Sequence, residues 1–484
     1  MKKRWLAMFM ALVLLLTAAG CSQPAQETGA GTEEQETVSQ AETQQNEADG
    51  RDEQTQVVIV GAGGAGMAAA IEATDQGLEV ILLEKLSLIG GTTAMASTAY
   101  NAGGMRLQLE ADPPYTADDA YRDWVGDGED DPFLRLLADR SGATGDWLVD
   151  MGADLGQFNG KQVMTSDGSA LGNMLVTVLG DNVSSRDIDL RTETRATELT
   201  VDENGRVTGV QVEDKEGAYT IYADAVILAT GGFASNPEMV DEYTPQWSGY
   251  PSTASVGATG DGITMGLAVG AALDDMDNAG PQSVAYDTGS GAVSLTNVRY
   301  NGAILVNSDG VRFTSESGPS MPIATAITEQ EGGYAYLIFD QASVDNAALM
   351  QDYKDRGYFT EAETVEELAE ALEINAEALA QSVENYHTVY DTGVDEEFGR
   401  NNHIFSRLDQ APYYGVKISP ANQTTYGGLL IDLETHVLRE DGTVIEGLYA
   451  AGEVAACRGS GTSIALVLGK LAGEVVAEEV GAGD

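Results

Sequence analysis

Cysteine, histidine and positive charge are scarce in this sequence, and each shortage closes off a kind of chemistry. There are two cysteines, Cys21 and Cys457, and no Cys-x-x-Cys-His run, so c-type haem attachment and cysteine-ligated iron–sulfur clusters are excluded. The three histidines, His387, His403 and His436, lack metal-ligand spacing, and no metal is expected. Lysine and arginine number 25 against 77 acids, a formal net charge of −52. A nucleic-acid partner is excluded, because phosphate contacts need a basic face. The same field opposes anionic ligands unless cations are gathered locally. The apolar run at the start, Leu6 to Leu16, is short for a bilayer span.

That run reads as an address. Lys2, Lys3 and Arg4 precede it, and Ala18-Ala19-Gly20-Cys21 follows. The segment resembles a bacterial lipoprotein signal, which implies lipidation of Cys21 and a lipid-anchored protein on the extracytoplasmic face of the cell membrane. Ala18 stands where such signals usually carry Leu, and an ordinary secretory signal is the competing reading. With Cys21 lipidated, no pair remains for an intramolecular disulfide. Residues Ser22 to Thr55 are rich in Gln, Glu, Thr and Ala and bury too little to fold. As a coil they form a tether of roughly 30 Å. What remains is more than one ordinary domain.

The stretch that organises the rest runs from Val57 to Lys85. Four β-formers, Val57 to Val60, lead into Gly61-Ala62-Gly63-Gly64-Ala65-Gly66, an Ala-rich helix, a second apolar run from Val80 to Leu83, and then Glu84. This is the strand, glycine turn, helix, strand and acid of a dinucleotide site. Gly61 permits the turn, Gly63 lets a pyrophosphate approach the backbone, and Gly66 lets helix and strand pack. The helix N-terminus offers free N–H groups and a positive dipole end. Glu84 follows Gly61 by 23 residues, the distance of a ribose-binding acid.

Further motifs continue the series: Gly90-Gly91-Thr92-Thr93, the small-residue run to Gly104, Ala225 to Phe233 with its closing glycines, Ala258 to Gly262, Val298 to Asn307, Arg312-Phe313, Asp395 to Arg400, Tyr426 to Asp432 and Val444 to Glu453. In order they resemble the FAD-binding flavoproteins of the fumarate reductase and succinate dehydrogenase family, with relatives acting on other unsaturated acids, urocanate among them, and on ketosteroids. The resemblance runs from Gln56 onward. It implies an α/β fold, a Rossmann-like FAD-binding domain of the glutathione-reductase type interrupted by an α+β capping domain, with bounds at 56–280, 281–422 and 423–484. It implies FAD contacts from Gly61 to Gly66, Glu84, Lys85, Gly90, Gly91, Thr92, Thr93, Ala96, Ser97, Asn101, Ala196, Thr230, Gly231, Gly232, Gly260, Asp261, Gly452, Glu453, Ser463 and Ile464. No histidine occurs from Gly90 to Gly104, so non-covalent FAD is implied. A last helix opens at Ser460 to Ile464 and runs to about Val480; the resemblance aims its N-terminus at the flavin's pyrimidine edge. Locally, Pro132 can open a helix, Asn204-Gly205 signals a hairpin, Gly302 to Val306 and Tyr334 to Phe339 read as strands, and Val365 to Tyr390 is helix-rich.

Departures from the family pattern carry as much information. Pro281-Gln282-Ser283 and Gln423-Thr424-Thr425 stand where the family's substrate histidines are expected, and Gln341 to Asp345 where a protonating arginine would come. A dicarboxylate needs paired cations, so fumarate is not the expected substrate. The candidates left are Arg458 to polarise a carbonyl, Tyr426 to donate a proton and Glu316 as a relay. Three functions compete: an exported FAD-dependent oxidoreductase acting on an activated C=C bond, a ketosteroid-type dehydrogenase or reductase, and a non-catalytic flavin-binding electron-transfer lipoprotein. An enzyme of this kind needs a small unsaturated substrate and a separate electron-donor protein.

Overall fold

The computed structural model describes residues 50–96, 99–167, 169–289, 291–456 and 461–481. Cys21, Ser97, Cys457 and Arg458 lie outside them. β1 (Glu53–Val60) leads through the glycine turn into α1 (Gly64–Asp75), and β2 (Val80–Leu83) returns parallel to β1, with Val57 opposite Val80 and Val60 opposite Leu83. Val57–Val60 of β1 and all of β2 are apolar and buried without alternation because both faces are covered there. In α2 (Pro132–Asp150), Pro132 takes the first position and the Asp131 carboxylate accepts from the N–H groups of Phe133 and Leu134. β3 (Ile188–Arg191) extends the sheet beyond β2. β4 (Arg195–Val201) and β5 (Val207–Asp214) form the hairpin at Asn204-Gly205, and β6 (Gly217–Leu228) carries the chain back beside β1, parallel to it. α3 (Asp261–Ala268) starts from Gly260, held at φ +76°.

The chain then builds a second, largely antiparallel sheet from β7 (Ala279–Asp287), β8 (Ile304–Val306), β9 (Ala335–Asp340) and β10 (Tyr413–Thr425). Between β9 and β10 the helix-rich stretch is two helices, α4 (Val365–Ala371) and α5 (Ala376–Thr392). They break where Glu373 takes φ +59° and where Asn375 caps α5 by accepting from the Ala378 N–H. This sheet and these helices enclose their own core, with Ile304, Leu337, Phe339, Leu368, Leu379 and Tyr386 buried.

Finally β11 (His436–Leu438) and β12 (Val444–Ala450) rejoin the first sheet, whose path is β11-β12-β6-β1-β2-β3 with the hairpin attached at β6. α6 (Gly461–Gly481) lies along α1 with backbones nearly touching: a Cβ on Gly469 would stand 2.2 Å from the Ala65 carbonyl oxygen. Alanine and glycine fill this contact because nothing larger fits. Among the described residues no helix is long and apolar enough to cross a membrane.

Candidate active site

The carboxyl ends of β1, β2, β6 and β12 open into one cleft, lined there by Val60, Leu83, Ala229 and Ala451. Ligands of open parallel sheets bind at this end. The glycine turn forms its floor. Gly61 has φ +104°, and a Cβ there would meet the Ala229 carbonyl oxygen at 2.5 Å. Among the described residues Gly63, the residue before α1, has open space where its Cβ would be, and as a glycine it offers no capping side chain of its own. The start of α1 is therefore free to receive an anionic group.

Glu84 braces this turn: its carboxylate accepts from the Ala62 N–H (3.1 Å) and the Leu86 N–H (2.8 Å). It also lines the cleft, with acceptor capacity left for a ribose hydroxyl. Thr93 Oγ1 accepts from the Gly64 N–H at 3.1 Å, and Thr92 Oγ1 from the Ser255 N–H at 3.1 Å, so a loop distant in sequence is stitched to the wall. At the far end Lys85 donates to Thr259 (2.6 Å) and Asp261 (3.1 Å), and Arg195 pairs with Asp261 at 3.2 Å. Burial works to raise Asp261, but Thr259, Lys85 and Arg195 outweigh it and hold the carboxyl below its usual range.

Glu453 also lies on the wall. Its carboxylate accepts from the Thr425 N–H at 2.8 Å and the Thr425 hydroxyl at 3.3 Å. Burial pushes its pKa up to about 7 against those two hydrogen bonds. Gln423 and Thr424, at the end of β10, line the cleft where it meets the second sheet.

Of the residues expected to touch a cofactor, Gly61, Gly63, Gly64, Ala65, Glu84, Lys85, Gly91, Thr92, Thr93, Ala96, Asn101, Ala196, Thr230, Gly231, Asp261, Gly452 and Glu453 line the cleft. Ala62, Gly66, Gly90, Gly232 and Gly260 stand behind it and shape its turns. Ser463 and Ile464 are also behind the wall, 1% and 3% exposed, and Ser463 accepts from the Asn101 N–H; Gly461, Thr462 and Ala465 line the cleft instead. Sequence reasoning missed Gln162, Arg195 and Ser255, which also line it. Arg195 sits one residue before Ala196 and was findable; Gln162 comes from a separate small sheet and carries no local signal.

The catalytic candidates fare differently. Glu316 is not a cleft residue. It is fully buried in the second core and accepts from Arg312, Arg400 and the Leu305 N–H. Its carboxylate is committed on both oxygens, so the relay reading is replaced by a structural brace. Tyr426 is likewise outside the cleft lining; its N–H donates to Asn278 and its ring lies over Gly280, where a Cβ would meet the hydroxyl at 2.7 Å. Three metal-capable groups, Asp432, Glu434 and His436, come within 4.8 Å of one another outside the cleft lining, but both His436 nitrogens are taken, by Asp432 at 2.9 Å and Glu479 at 2.8 Å.

A helix start with no capping side chain at Gly63, a glycine with room for a phosphate, an acid beside it and a long cleft over the strand ends together define a dinucleotide-binding site. The chain belongs to the FAD binding domain family, whose pattern it matches over residues 56–464. It is 37% identical over 441 residues to the fumarate reductase (cytochrome) of Shewanella frigidimarina, covering 87% of this chain and 77% of that protein. It is 34% identical over 423 residues to the urocanate reductase of Eggerthella lenta, covering 82% and 69%. The open conformation of a flavocytochrome c3 fumarate reductase superposes with a TM-score of 0.77 at 31% identity, covering 88% of this chain and 79% of that one. This is an FAD-dependent oxidoreductase of the fumarate reductase group, which acts on CH–CH bonds.

Proposed function

We propose that the enzyme reduces a carbon–carbon double bond conjugated to a carbonyl or carboxyl group, in a monoanionic or neutral molecule and not in fumarate. The observation that carries this reading is the charge on the cleft walls. Among the described residues that line the cleft, the cations are Lys85 and Arg195, and both are held by Asp261. A second carboxylate desolvated without a partner costs several kcal/mol, several powers of ten in affinity. The relatives include a urocanate reductase as well as fumarate reductases, so proteins similar to this chain act on more than one unsaturated acid.

When bound, FAD supplies two-electron hydride chemistry. The chain's own part is to hold the cofactor's phosphates at the start of α1, its ribose at Glu84, and its flavin side beside Glu453 and the start of α6. The body of residues 281–422 caps the cleft. Arg458 polarises the carbonyl. Electrons come from a separate donor protein. The FAD is held without a covalent bond and leaves on acid precipitation; colour kept in the denatured pellet would sink that point. The test of the reaction is reoxidation of the photoreduced enzyme across a panel of alkenes. Monoanionic and neutral activated alkenes should reoxidise it, and Arg458→Ala should lower turnover at least about tenfold with flavin content intact. Rapid reoxidation by micromolar fumarate would overturn the reading.

The protein is further proposed to be exported and anchored through lipid on Cys21. Radioactive palmitate should label the wild type and not Cys21→Ser. Equal release of both into the medium would make the leader an ordinary secretory signal.

A further inference from the structure

The end of the cleft at the second sheet holds a chain of uncharged side chains. β7 and β10 pair antiparallel with Gln282 opposite Ala421, so Gln423, two residues on, is its diagonal neighbour, within reach of a long side chain. The register shifts on both sides of Gln282, between Gly280 and Gln282 and again between Gln282 and Ala285, and such irregularities re-aim a side chain. Ser294 donates to the Thr296 hydroxyl at 3.2 Å, Thr296 donates to Gln282 Oε1 at 2.8 Å, and Gln282 Nε2 donates to Gln423 Oε1 at 3.3 Å. Gln282 and Thr296 are 6% and 9% exposed, so the upstream part of the chain is shielded from water. Each donation fixes the next group's orientation. The last member, Gln423, has its oxygen committed and lines the cleft. Its amide N–H₂ is what remains to be presented there.

We propose that Gln423 is a pre-aimed hydrogen-bond donor for the carbonyl oxygen of an uncharged substrate: an enone, an unsaturated ester or an unsaturated amide. Gln282 and Thr296 are its positioning residues. The proposal rests on the reading of the cleft as an alkene-reducing site and narrows it to a substrate class. A neutral amide satisfies a neutral carbonyl without a charge to compensate. A carboxylate in the same place gives up its water shell and gains no countercharge from Gln423, Gln282 or Thr296. A site built around one hydrogen bond rejects ligands that fit it badly.

The test is a titration of the oxidised holoenzyme with the matched pair crotonamide and crotonate, followed by the perturbation of the flavin absorption. Crotonamide should bind about tenfold or more tightly than crotonate. Gln423→Leu should weaken crotonamide about tenfold and crotonate by less, and Gln423→Arg should invert the preference. Gln282→Leu should also weaken crotonamide selectively, an effect that a general loosening of the fold would not confine to one ligand. Flavin content is measured for each variant. Equal affinity for the pair, no perturbation by crotonamide, or a Gln423→Leu protein that binds crotonamide like the wild type would each overturn the proposal. The titration needs no turnover. If no alkene reoxidises the reduced enzyme while crotonamide still binds selectively, the reaction is misread and the role of Gln423 stands. If alkenes are reduced without this selectivity, the reverse holds.

Discussion

Gly66→Ala is expected to leave the purified protein without flavin and to lower its thermal stability. A Cβ at Gly66 would stand 1.8 Å from the Gly61 carbonyl oxygen and 3.3 Å from the Ala229 methyl group. Gly61 cannot give way, because its own backbone lies against Ala229 and its N–H donates to the Leu83 carbonyl at 2.7 Å. Nor can α1 back off as a unit, because α6 holds it from behind, with Gly469 against Ala65 and Gly473 against Ala69. The strain of one added methyl group in such a place is about 1–3 kcal/mol or more, and any relief moves the start of α1 out of the cleft. Gly63→Ala separates the two effects. Among the described residues, its own chain neighbours apart, no atom lies within 4 Å of its Cβ, and its φ is −78°, so the flavin-free protein should melt like flavin-free wild type. The methyl group would nevertheless occupy the space a pyrophosphate needs, and flavin should be lost. The measurement is the ratio of flavin to protein absorbance with a melting curve for each. A Gly63→Ala protein with a full complement of flavin would refute this account of the turn.

Glu316→Ala is expected to destabilise the protein by about 3–5 kcal/mol, the usual cost of stranding a buried charge. Its carboxylate takes Arg312 Nε at 2.9 Å and Nη2 at 2.7 Å, Arg400 Nη1 at 3.2 Å and the Leu305 N–H at 2.9 Å. Without it two buried guanidinium groups face one remaining acid, Asp395, which accepts from Arg312 at 2.7 Å. Burial works to raise the Asp395 carboxyl, yet the Arg312 pairing and the backbone donors Phe398 and Arg400 hold it below the usual range. Its stabilisation is therefore present above the ordinary carboxylate pKa and is lost as pH falls through the lowered one. Denaturant unfolding at neutral pH checks the size of the effect, and turnover per bound flavin checks its kind. A variant with an unchanged unfolding midpoint and turnover reduced a hundredfold would restore Glu316 as a proton relay.

The glycine turn, Glu84, the hairpin at Asn204-Gly205 and the Pro132 helix start were all legible in the sequence. Each is a local device: a few neighbouring residues with a fixed spacing, whose backbone geometry follows from their own sterics and hydrogen bonding. The strands of the second core could be found the same way, with ends one or two residues off.

The roles of polar side chains were not legible in that way. Gln282 and Gln423 are 141 residues apart, and Glu316 and Arg400 are 84 apart. As letters, Glu316 near Arg312 fits a relay, a solvated pair or a brace equally well. Only packing decides, by taking the carboxylate out of water and surrounding it with cations. Gln423 in the sequence is merely the absence of a histidine; its meaning comes from β7, which places Gln282 beside it, and from Thr296, which holds Gln282 in turn. Backbone turns are determined by neighbours along the chain. The charge state and direction of a buried polar group are determined by whatever the fold places against it.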